Sequence, residues 1–267
     1  MEPLPRLAPR RIATVNWIGL WTLYLKEIRR FAKVATQTVV SPLVTTLLFL
    51  AIFSLALGRS LQQVGGVPYA EFLTPGLIIM AMTQNAFANT SSSLVISKIQ
   101  GNIVDLLMPP LSAGELTLGL AAGGLTRGVV VGLVSAAAAR VFVPFTVHDW
   151  FFVLFNGIAA SLMLSLIGLL AGLWAEKFDQ MSAVTNFIIT PLSFLSGAFY
   201  STQRLPLAGR IVAHLNPFFY MIDGFRYGFI GHADGSLAAG LVVLAGADLL
   251  LWLAAWWLIA RGYHLRP

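Results

Sequence analysis

The sequence predicts an all-α polytopic membrane protein with six transmembrane helices, and three observations support that fold class. First, 57% of the 267 residues are hydrophobic and only 10% are charged, whereas soluble domains carry about 25% charged residues. Second, long uncharged apolar stretches recur, each able to form the helix of about 20 residues that crosses a bilayer. Third, the basic residues cluster before residue 34 or lie between the apolar stretches, a distribution typical of membrane orientation signals.

The first predicted element is an amphipathic helix in the membrane interface, within an N-terminal region at 1–37. Aromatic and aliphatic residues recur every three or four positions over 14–33, and basic residues follow in the second half. In such a helix the aromatic rings enter the membrane and the cations face the headgroups. The alternative is a mere basic flank of the first transmembrane helix. The candidate interfacial residues are Trp17, Trp21, Lys26, Arg29 and Arg30.

Six transmembrane helices are predicted between residues 38 and 260, followed by a short tail at 261–267. An even number of helices places both termini on one side of the membrane. With Lys98 and Arg127 assigned to the loop between the second and third helices, most of the 17 Lys and Arg residues fall on that side. The positive-inside rule then predicts that both termini are cytoplasmic. The predicted helices are 38–58, 73–96, a third that lies within 118–143, 150–174, 182–200 and 237–260.

The sequence lacks the motifs of several functional classes. No lysine follows a glycine, so the phosphate-binding loop G-x-x-x-x-G-K-[ST] is absent and the chain does not bind ATP by that mechanism. Ser196 and His214 are residue types of a serine protease, but Phe194 stands where a G-x-S-G motif has glycine. The four histidines show no metal-binding spacing, and there is no cysteine. The scattered basic residues argue against nucleic acid as a partner.

Two features inside the predicted helices leave alternatives open. Asp248 is the only acid well inside one of them, and it is either a relay in an ion-coupled carrier or a hydrogen-bonded structural residue. Gly124, Gly128 and Gly132 form overlapping G-x-x-x-G steps that allow close helix contact. That contact lies either within one subunit or across a dimer, and ordinary packing within the subunit is favoured.

The loop KIQGNIVDLLMPPLSAGEL at 98–116 predicts a short helix held between two transmembrane helices. Gly101 ends the preceding helix, Ile103 to Met108 form an amphipathic turn, and Pro109-Pro110 stop it. Ser112 and Glu115 form an S-x-x-E capping box that opens the next helix. Such an element suits contact with a partner, although short loops often contain a helical turn of no special function. The candidate loop residues are Gly101, Asp105, Pro110, Ser112 and Glu115.

The segment between the fifth and sixth predicted helices reads as a re-entrant helical hairpin on the external side. Residues 207–215 predict one amphipathic helix, an Asn-Pro pair breaks it, and residues 218–231 predict another. Non-helical backbone is tolerated at membrane depth only where protein or water satisfies it. Asp223 and Arg226, at i and i+3, are expected to pair. The candidate hairpin residues are Gly197, Asn216, Pro217, Tyr220, Asp223 and Arg226.

These segments together resemble the permease subunit of a type 2 ABC exporter, the ABC-2 family. Gly101 followed by P-L-S-A-G-E at 110–115 resembles the family's G...P-[LV]-S-x-x-E loop. FLSGAFYSTQRLP at 194–206 and LNPFFYMIDGFRYGFIG at 215–231 resemble two further family segments. The likeness covers nearly the whole chain. One departure is Asp105, because many members place a glutamate slightly earlier.

The resemblance implies a permease that is not itself an enzyme, in the cell membrane and, for a bacterium, the inner membrane. Family members work as homodimers with two cytoplasmic ABC ATPase subunits, which bind ATP and Mg, while the permease has no cofactor or metal of its own. The 98–116 loop would be the coupling loop to that ATPase, and the external hairpin a gate. Membrane lipid is the other expected partner. Expected substrates are lipid-linked glycans, lipids or hydrophobic drugs; the alternatives are an ion-coupled carrier or channel, or a scaffold without transport.

Overall fold

Helices make up most of the computed structural model, which describes residues 14–57, 63–64 and 66–265. Residues 1–13 of the predicted N-terminal region and 266–267 of the predicted tail lie outside the described residues, as does Arg59 of the charge count. The helices are α1 Trp17–Ala32, α2 Ser41–Leu57, α3 Tyr69–Ile99, α4 Ile103–Leu107, α5 Ala113–Phe142, α6 Trp150–Trp174, α7 Phe178–Val184, α8 Thr190–Leu195, α9 Leu207–Leu215, α10 Pro217–Ile230 and α11 Leu237–Ala260.

Shorter elements join these helices. A 3₁₀ turn covers Thr202–Arg204, and strands β1 (Gln63–Val64) and β2 (Val67–Pro68) pair antiparallel as a two-residue hairpin before α3. Wide π-helical turns at Thr36–Val40 and Thr185–Ile189 lead into α2 and α8. Each π turn precedes a proline, Pro42 or Pro191, whose ring would clash with the carbonyl four residues earlier in a regular helix. The wider turn relieves that clash, so Pro191 does not interrupt the helical segment.

Four helical segments are long and apolar enough to cross a membrane, within the part of the chain that the structure describes. The predicted second and fifth transmembrane helices fall on α3 and on the continuous helical segment 178–195. Hydroxyl and amide side chains along α3 lower its hydropathy, and most of them are buried in the bundle. The all-α membrane fold is confirmed, whereas the count of six remains a prediction. The four segments are Thr36–Ala56, Ala113–Phe142, Trp150–Trp174 and Leu237–Ala260.

Helix α5 packs closely against α3 and α6 within the bundle. A Cβ atom at Gly124 would lie 2.3 Å from Oγ of Ser165 on α6 and 2.9 Å from the carbonyl oxygen of Ala86 on α3. At Gly128 it would lie 2.8 Å from the carbonyl oxygen of Met82. Only glycine permits such close approach of backbones. The G-x-x-x-G steps therefore serve packing within the chain, as the sequence favoured.

The structure corrects the assignment of Arg127 to a loop. A capping box at Ser112 starts α5 at Ala113, so Arg127 lies in the middle of a 30-residue helix rather than near its start. Reasoning from hydropathy assigns charged residues to the ends of transmembrane helices, which is why the sequence suggested a loop position for Arg127. Removing Arg127 from the charge count lowers the excess of basic residues on the side of the termini but does not reverse it.

Candidate functional site

Two ends of the bundle carry the predicted site residues. The α4 end comprises the 98–116 loop, the start of α1 and the 174–178 connection. The α10 end comprises the 143–149 connection and residues 196–236, which include α9 and α10. Because α3, α5 and α6 run between these ends, the two groups of predicted residues are separated by the length of the bundle.

The 98–116 loop is built as its sequence predicts. Helix α3 ends at Ile99, and Gly101 adopts φ of +72°, the left-handed conformation that glycine accepts most easily. The short helix α4 follows and stops before Pro109. Lys98 donates hydrogen bonds from Nζ to the carbonyl oxygens of Leu173 and Ala175, which ties the start of the loop to the end of α6.

Helix α4 has one buried and one exposed face. Ile103 and Leu106 are buried, in a cluster with leucines of α3, α5 and α6. The opposite face is apolar yet exposed, and Met108 has 75% of its surface accessible. Exposed apolar clusters of this kind mark interaction surfaces. We call the exposed set the α4 face; it consists of Val104, Asp105, Leu107 and Met108.

The capping box at the start of α5 holds the end of the loop. The backbone N–H of Glu115 donates to Oγ of Ser112 at 3.3 Å, and the N–H of Ser112 donates to Oε2 of Glu115 at 2.6 Å. The other carboxylate oxygen of Glu115 accepts from the backbone N–H of Asn16. Glu115 is buried, so it is a structural joint between α1 and α5 rather than an exposed contact residue.

Asn16 fastens the start of α1 to the same loop. Its Oδ1 caps α1 by accepting from the N–H of Gly19 at 3.0 Å, and its Nδ2 donates to the carbonyl oxygen of Pro110 at 3.2 Å. Sequence reasoning missed Asn16. Its place directly before the helical repeat, an N-cap position that favours asparagine, was the available signal. A groove of about 710 Å³ lies beside these contacts, lined by residues of α1 and of the loop that include Trp17, Lys26, Asp105 and Pro110.

Most of the predicted interfacial residues of α1 are exposed. Trp17 and Trp21 expose 70% and 59% of their surfaces, and Lys26 and Arg29 are exposed too. Arg30 instead turns inward and donates to the carboxylate of its neighbour one turn earlier, Glu27, at 3.1 Å, and to the carbonyl oxygen and Oδ1 of Asn89 on α3 at 2.6 and 2.9 Å. Ser93 on α3 donates to Oε1 of Glu27 at 2.7 Å. This polar cluster anchors α1 to α3.

At the α10 end, Asn216 joins the helical hairpin to the end of α8. Its Oδ1 caps α10 by accepting from the N–H of Phe218, and its Nδ2 donates to Oγ of Ser196 at 2.8 Å and to the carbonyl oxygen of Leu192 at 3.0 Å. Pro217 occupies the first turn of α10, where a missing N–H has no cost. The predicted break at Asn216-Pro217 is therefore confirmed.

Arg226 and Asp223 do not form the expected ion pair; no salt bridge joins them in the described chain. Arg226 is 2% exposed, donates to the carbonyl oxygens of Phe72, Gly197 and Ala198, and lies 3.9 Å above the ring of Phe72. Asp223 accepts from two backbone N–H groups just after α10 instead. Tertiary partners outcompete the neighbour on the same helix, because both groups are buried and need several hydrogen bonds.

Gly197 and Tyr220 also lie in this region. Gly197 has φ of +76°, and its carbonyl oxygen accepts one of the hydrogen bonds from Arg226. Tyr220 is half-buried and contacts α11 beside Gly240. The connection after α10 is held by Asp234, which accepts from the backbone N–H and Oγ1 of Thr202. The structure thus brings the predicted hairpin residues into one packed region.

Comparison with known proteins identifies the chain. The model of the family described as ABC-2 type transporter matches residues 19–230. The chain belongs to the ABC-2 type transporter family. It is 41% identical over 250 residues to the inner membrane transport permease YadH of Escherichia coli K12, which covers 94% of this chain and 98% of that protein. It is also 25% identical over 224 residues to Nodulation protein J of Neorhizobium galegae, covering 82% of each chain.

The ABC-2 assignment confirms the resemblance found in the sequence. This chain is a transport permease, and its relatives and apolar helices together make it a multi-pass inner membrane protein. The matched region, 19–230, contains nearly all of α1, the 98–116 loop and the hairpin α9–α10. Most of both ends of the bundle therefore lies within the region that the family model matches.

Proposed function

We propose that this ABC-2 permease is the membrane subunit of an ATP-driven exporter, acting as a homodimer with two ABC ATPase subunits. In this proposal α3 and the segment 178–195 complete a set of six transmembrane helices, and both termini are cytoplasmic. ATP and Mg are bound by the ATPase subunits, and this chain supplies the route through the membrane. The exported substrate is a lipid-linked glycan, a lipid or a hydrophobic drug.

The observation that carries the proposal is the α4 face. Val104, Leu107 and Met108 expose 50%, 37% and 75% of their surfaces, although α4 lies in a connection between long helices and not along a long apolar helix. An apolar face that water would otherwise contact is stabilised by a partner surface. The exposed Asp105 beside it supplies a charge that would fix the orientation of that partner.

The joints behind α4 fit a role in transmitting motion. Glu115 connects the loop to α5 and, through Asn16, to α1. Lys98 connects it to α6. A movement of α4 on the ATPase subunit would therefore displace three helices together. The hairpin α9–α10, at the opposite end, would close the external side of the pathway.

The test is a pull-down of the tagged chain in detergent, followed by an ATPase assay of the proteins that copurify. The chain with Val104→Ser and Met108→Ser should lose its ATPase partner while staying folded, because both side chains point away from the bundle. The matched control is Leu207→Ser on α9, an apolar residue that is 73% exposed at the opposite end. Equal recovery of ATPase with both variants would contradict docking at α4.

The same preparation distinguishes an ion-coupled carrier, which one observation favours. Oδ1 of Asp248 is buried and has no hydrogen-bond partner among the described residues. A carrier predicts that the chain purifies without an ATPase, that reconstituted vesicles respond to an ion gradient, and that Asp248→Asn abolishes the response. The exporter predicts ATP-dependent transport that survives Asp248→Asn.

A further inference from the structure

Arg127 is a cation halfway along a transmembrane helix. Its Nη2 donates to Oδ1 of Asn85 on α3 at 3.0 Å. Its Nε is buried and has no partner within the described part of the chain. Charges at membrane depth are costly and usually mark a pathway or a ligand. One hydrogen bond is little compensation for a guanidinium group that offers five N–H donors.

Asn89 supplies a second donor without a partner. Its side chain is fully buried; Oδ1 accepts from Arg30, but Nδ2 has no partner among the described residues. A Cβ atom added at Gly123 would lie 3.6 Å from this Nδ2. Since Gly123 precedes Arg127 by one helical turn on the same face of α5, the amide of Asn89 faces α5 one turn away from Arg127.

The charges around these two donors do not balance. Arg30 donates to Asn89 and Arg127 donates to Asn85, one helical turn apart on α3, so the two cations lie on the same side of that helix. Glu27 is the acid of this cluster; it already accepts hydrogen bonds from Arg30 and Ser93 and forms a salt bridge with Lys26 at 3.7 Å. Excess positive charge and spare N–H groups fit a group with several acceptor oxygens, such as a phosphate ester or a carboxylate.

The position of the cluster favours an anion that is attached to an apolar chain. Arg127 lies about 20 Å from either end of α5 at 1.5 Å per residue, so an anion free in water would have to cross apolar surface to reach it. Ser92 and Gln84 are partly exposed along one face of α3, and the partly exposed Arg30 of α1 donates to Oγ of Ser92 there. An amphiphile in the bilayer could place its headgroup against that face and keep its chains in lipid.

We propose that Arg127, Asn89 and Arg30 bind the anionic headgroup of an amphiphile within the membrane. The site would give this permease a preference for anionic over zwitterionic or cationic amphiphiles. The statement that the bound amphiphile is cargo rests on the proposed function. Binding itself requires no ATPase, so the two ideas fail separately.

The test measures the motionally restricted fraction of spin-labelled lipid around the purified chain in nanodiscs. The wild-type chain should prefer phosphatidic acid to phosphatidylcholine. Arg127→Gln should reduce that preference roughly tenfold, as expected for the loss of one charge-assisted hydrogen bond. Arg140→Gln, an exposed cation near the other end of α5, should leave the preference unchanged. Equal preference in wild type and Arg127→Gln would overturn the proposal.

Two further measurements identify the ligand and test the site without relying on the folding of the Arg127→Gln variant. Excess inorganic phosphate that displaced the labelled phosphatidic acid would assign the site to a free anion and overturn the amphiphile. Because the chain has no cysteine, Ser92→Cys introduces a single thiol next to Arg30, where Ser92 now accepts at 3.1 Å. Phosphatidic acid should slow the reaction of this thiol with a water-soluble maleimide, relative to phosphatidylcholine. Equal rates would contradict the proposed site.

Discussion

The helices α4 and α10 are both short and amphipathic, and each lies at an end of the bundle. They differ in how much of their apolar surface is exposed. Helix α4 buries Ile103 and Leu106 and exposes the α4 face. Helix α10 buries most of its residues against α3, α6 and α11, including its Asp and Arg. The α4 face is exposed in the chain alone, whereas most residues of α10 are covered by other helices of the same chain.

Because of this difference, substitutions in one helix should destabilise the folded chain, whereas substitutions in the other should weaken only its assembly with a partner. Changes in α10 remove contacts that the folded chain already makes, so they should reduce its stability. Changes on the α4 face remove surface that the chain alone does not use. Three predictions sharpen the contrast, in order of decreasing effect on stability.

The largest loss is expected at Arg226. Arg226→Ala removes hydrogen bonds to three backbone carbonyl groups and the contact with Phe72, and should lower the free energy of unfolding by more than about 3 kcal/mol. Thermal unfolding in detergent, followed by size-exclusion chromatography, measures the effect. The control is Arg210→Ala on α9, an exposed arginine with one hydrogen bond to Gln203. A comparable loss in both variants would contradict the role given to burial.

An intermediate loss is expected at Gly224, where α10 packs closely against α6. A Cβ atom at Gly224 would lie 2.5 Å from Oδ1 of Asn156, so Gly224→Ala should destabilise the chain by about 1–3 kcal/mol through overpacking. Gly246→Ala on α11 is the control, because no atom lies within 4 Å of its added Cβ. That change should be neutral or stabilising by up to about 1 kcal/mol. The melting temperatures of the two variants should therefore move apart.

The smallest loss of stability is expected at Asn16. Asn16→Ala removes the cap of α1 and its tie to Pro110, at a cost of about 1 kcal/mol. If α1 moves together with α4, the variant should also reduce the stimulation of the bound ATPase by substrate. Asn102→Ala is matched, because Asn102 stands at the N-cap of α4 without a capping hydrogen bond from its side chain. If both substitutions changed the stimulation of the ATPase equally, Asn16 would have no special role in linking α1 to the loop.

What the sequence predicted well depends on neighbours along the chain. The capping box of Ser112 and Glu115, the turn at Gly101 and the break at Asn216-Pro217 are set within a few residues, and the structure confirms each. Helix limits at 150–174, 207–215 and 237–260 also agree with the prediction. Local spacing is enough for these features because the hydrogen-bonding partners are adjacent.

What the sequence missed depends on partners far along the chain. Asn16 meets Glu115 across 99 positions, and Arg226 meets the carbonyl of Phe72 across 154. No local pattern encodes such pairs, so Arg226 was assigned to its neighbour Asp223. Glu27 escaped notice for the same reason, since its burial follows from contacts with Gly123 on α5 and Ser93 on α3. The roles of these residues in transport stay predictions.

The length of α5 has a mechanical consequence. Thirty residues at 1.5 Å each make a rod of about 45 Å, fixed at one end to the joint of Ser112, Glu115 and Asn16. As a lever arm pivoting there, it would amplify small rotations: a tilt of about 5° displaces the far end by about 4 Å and Arg127 by about 2 Å. A rotation that barely moves the atoms near the pivot would thus open or close a gap at the far end that is wide enough for a chain of methylene groups.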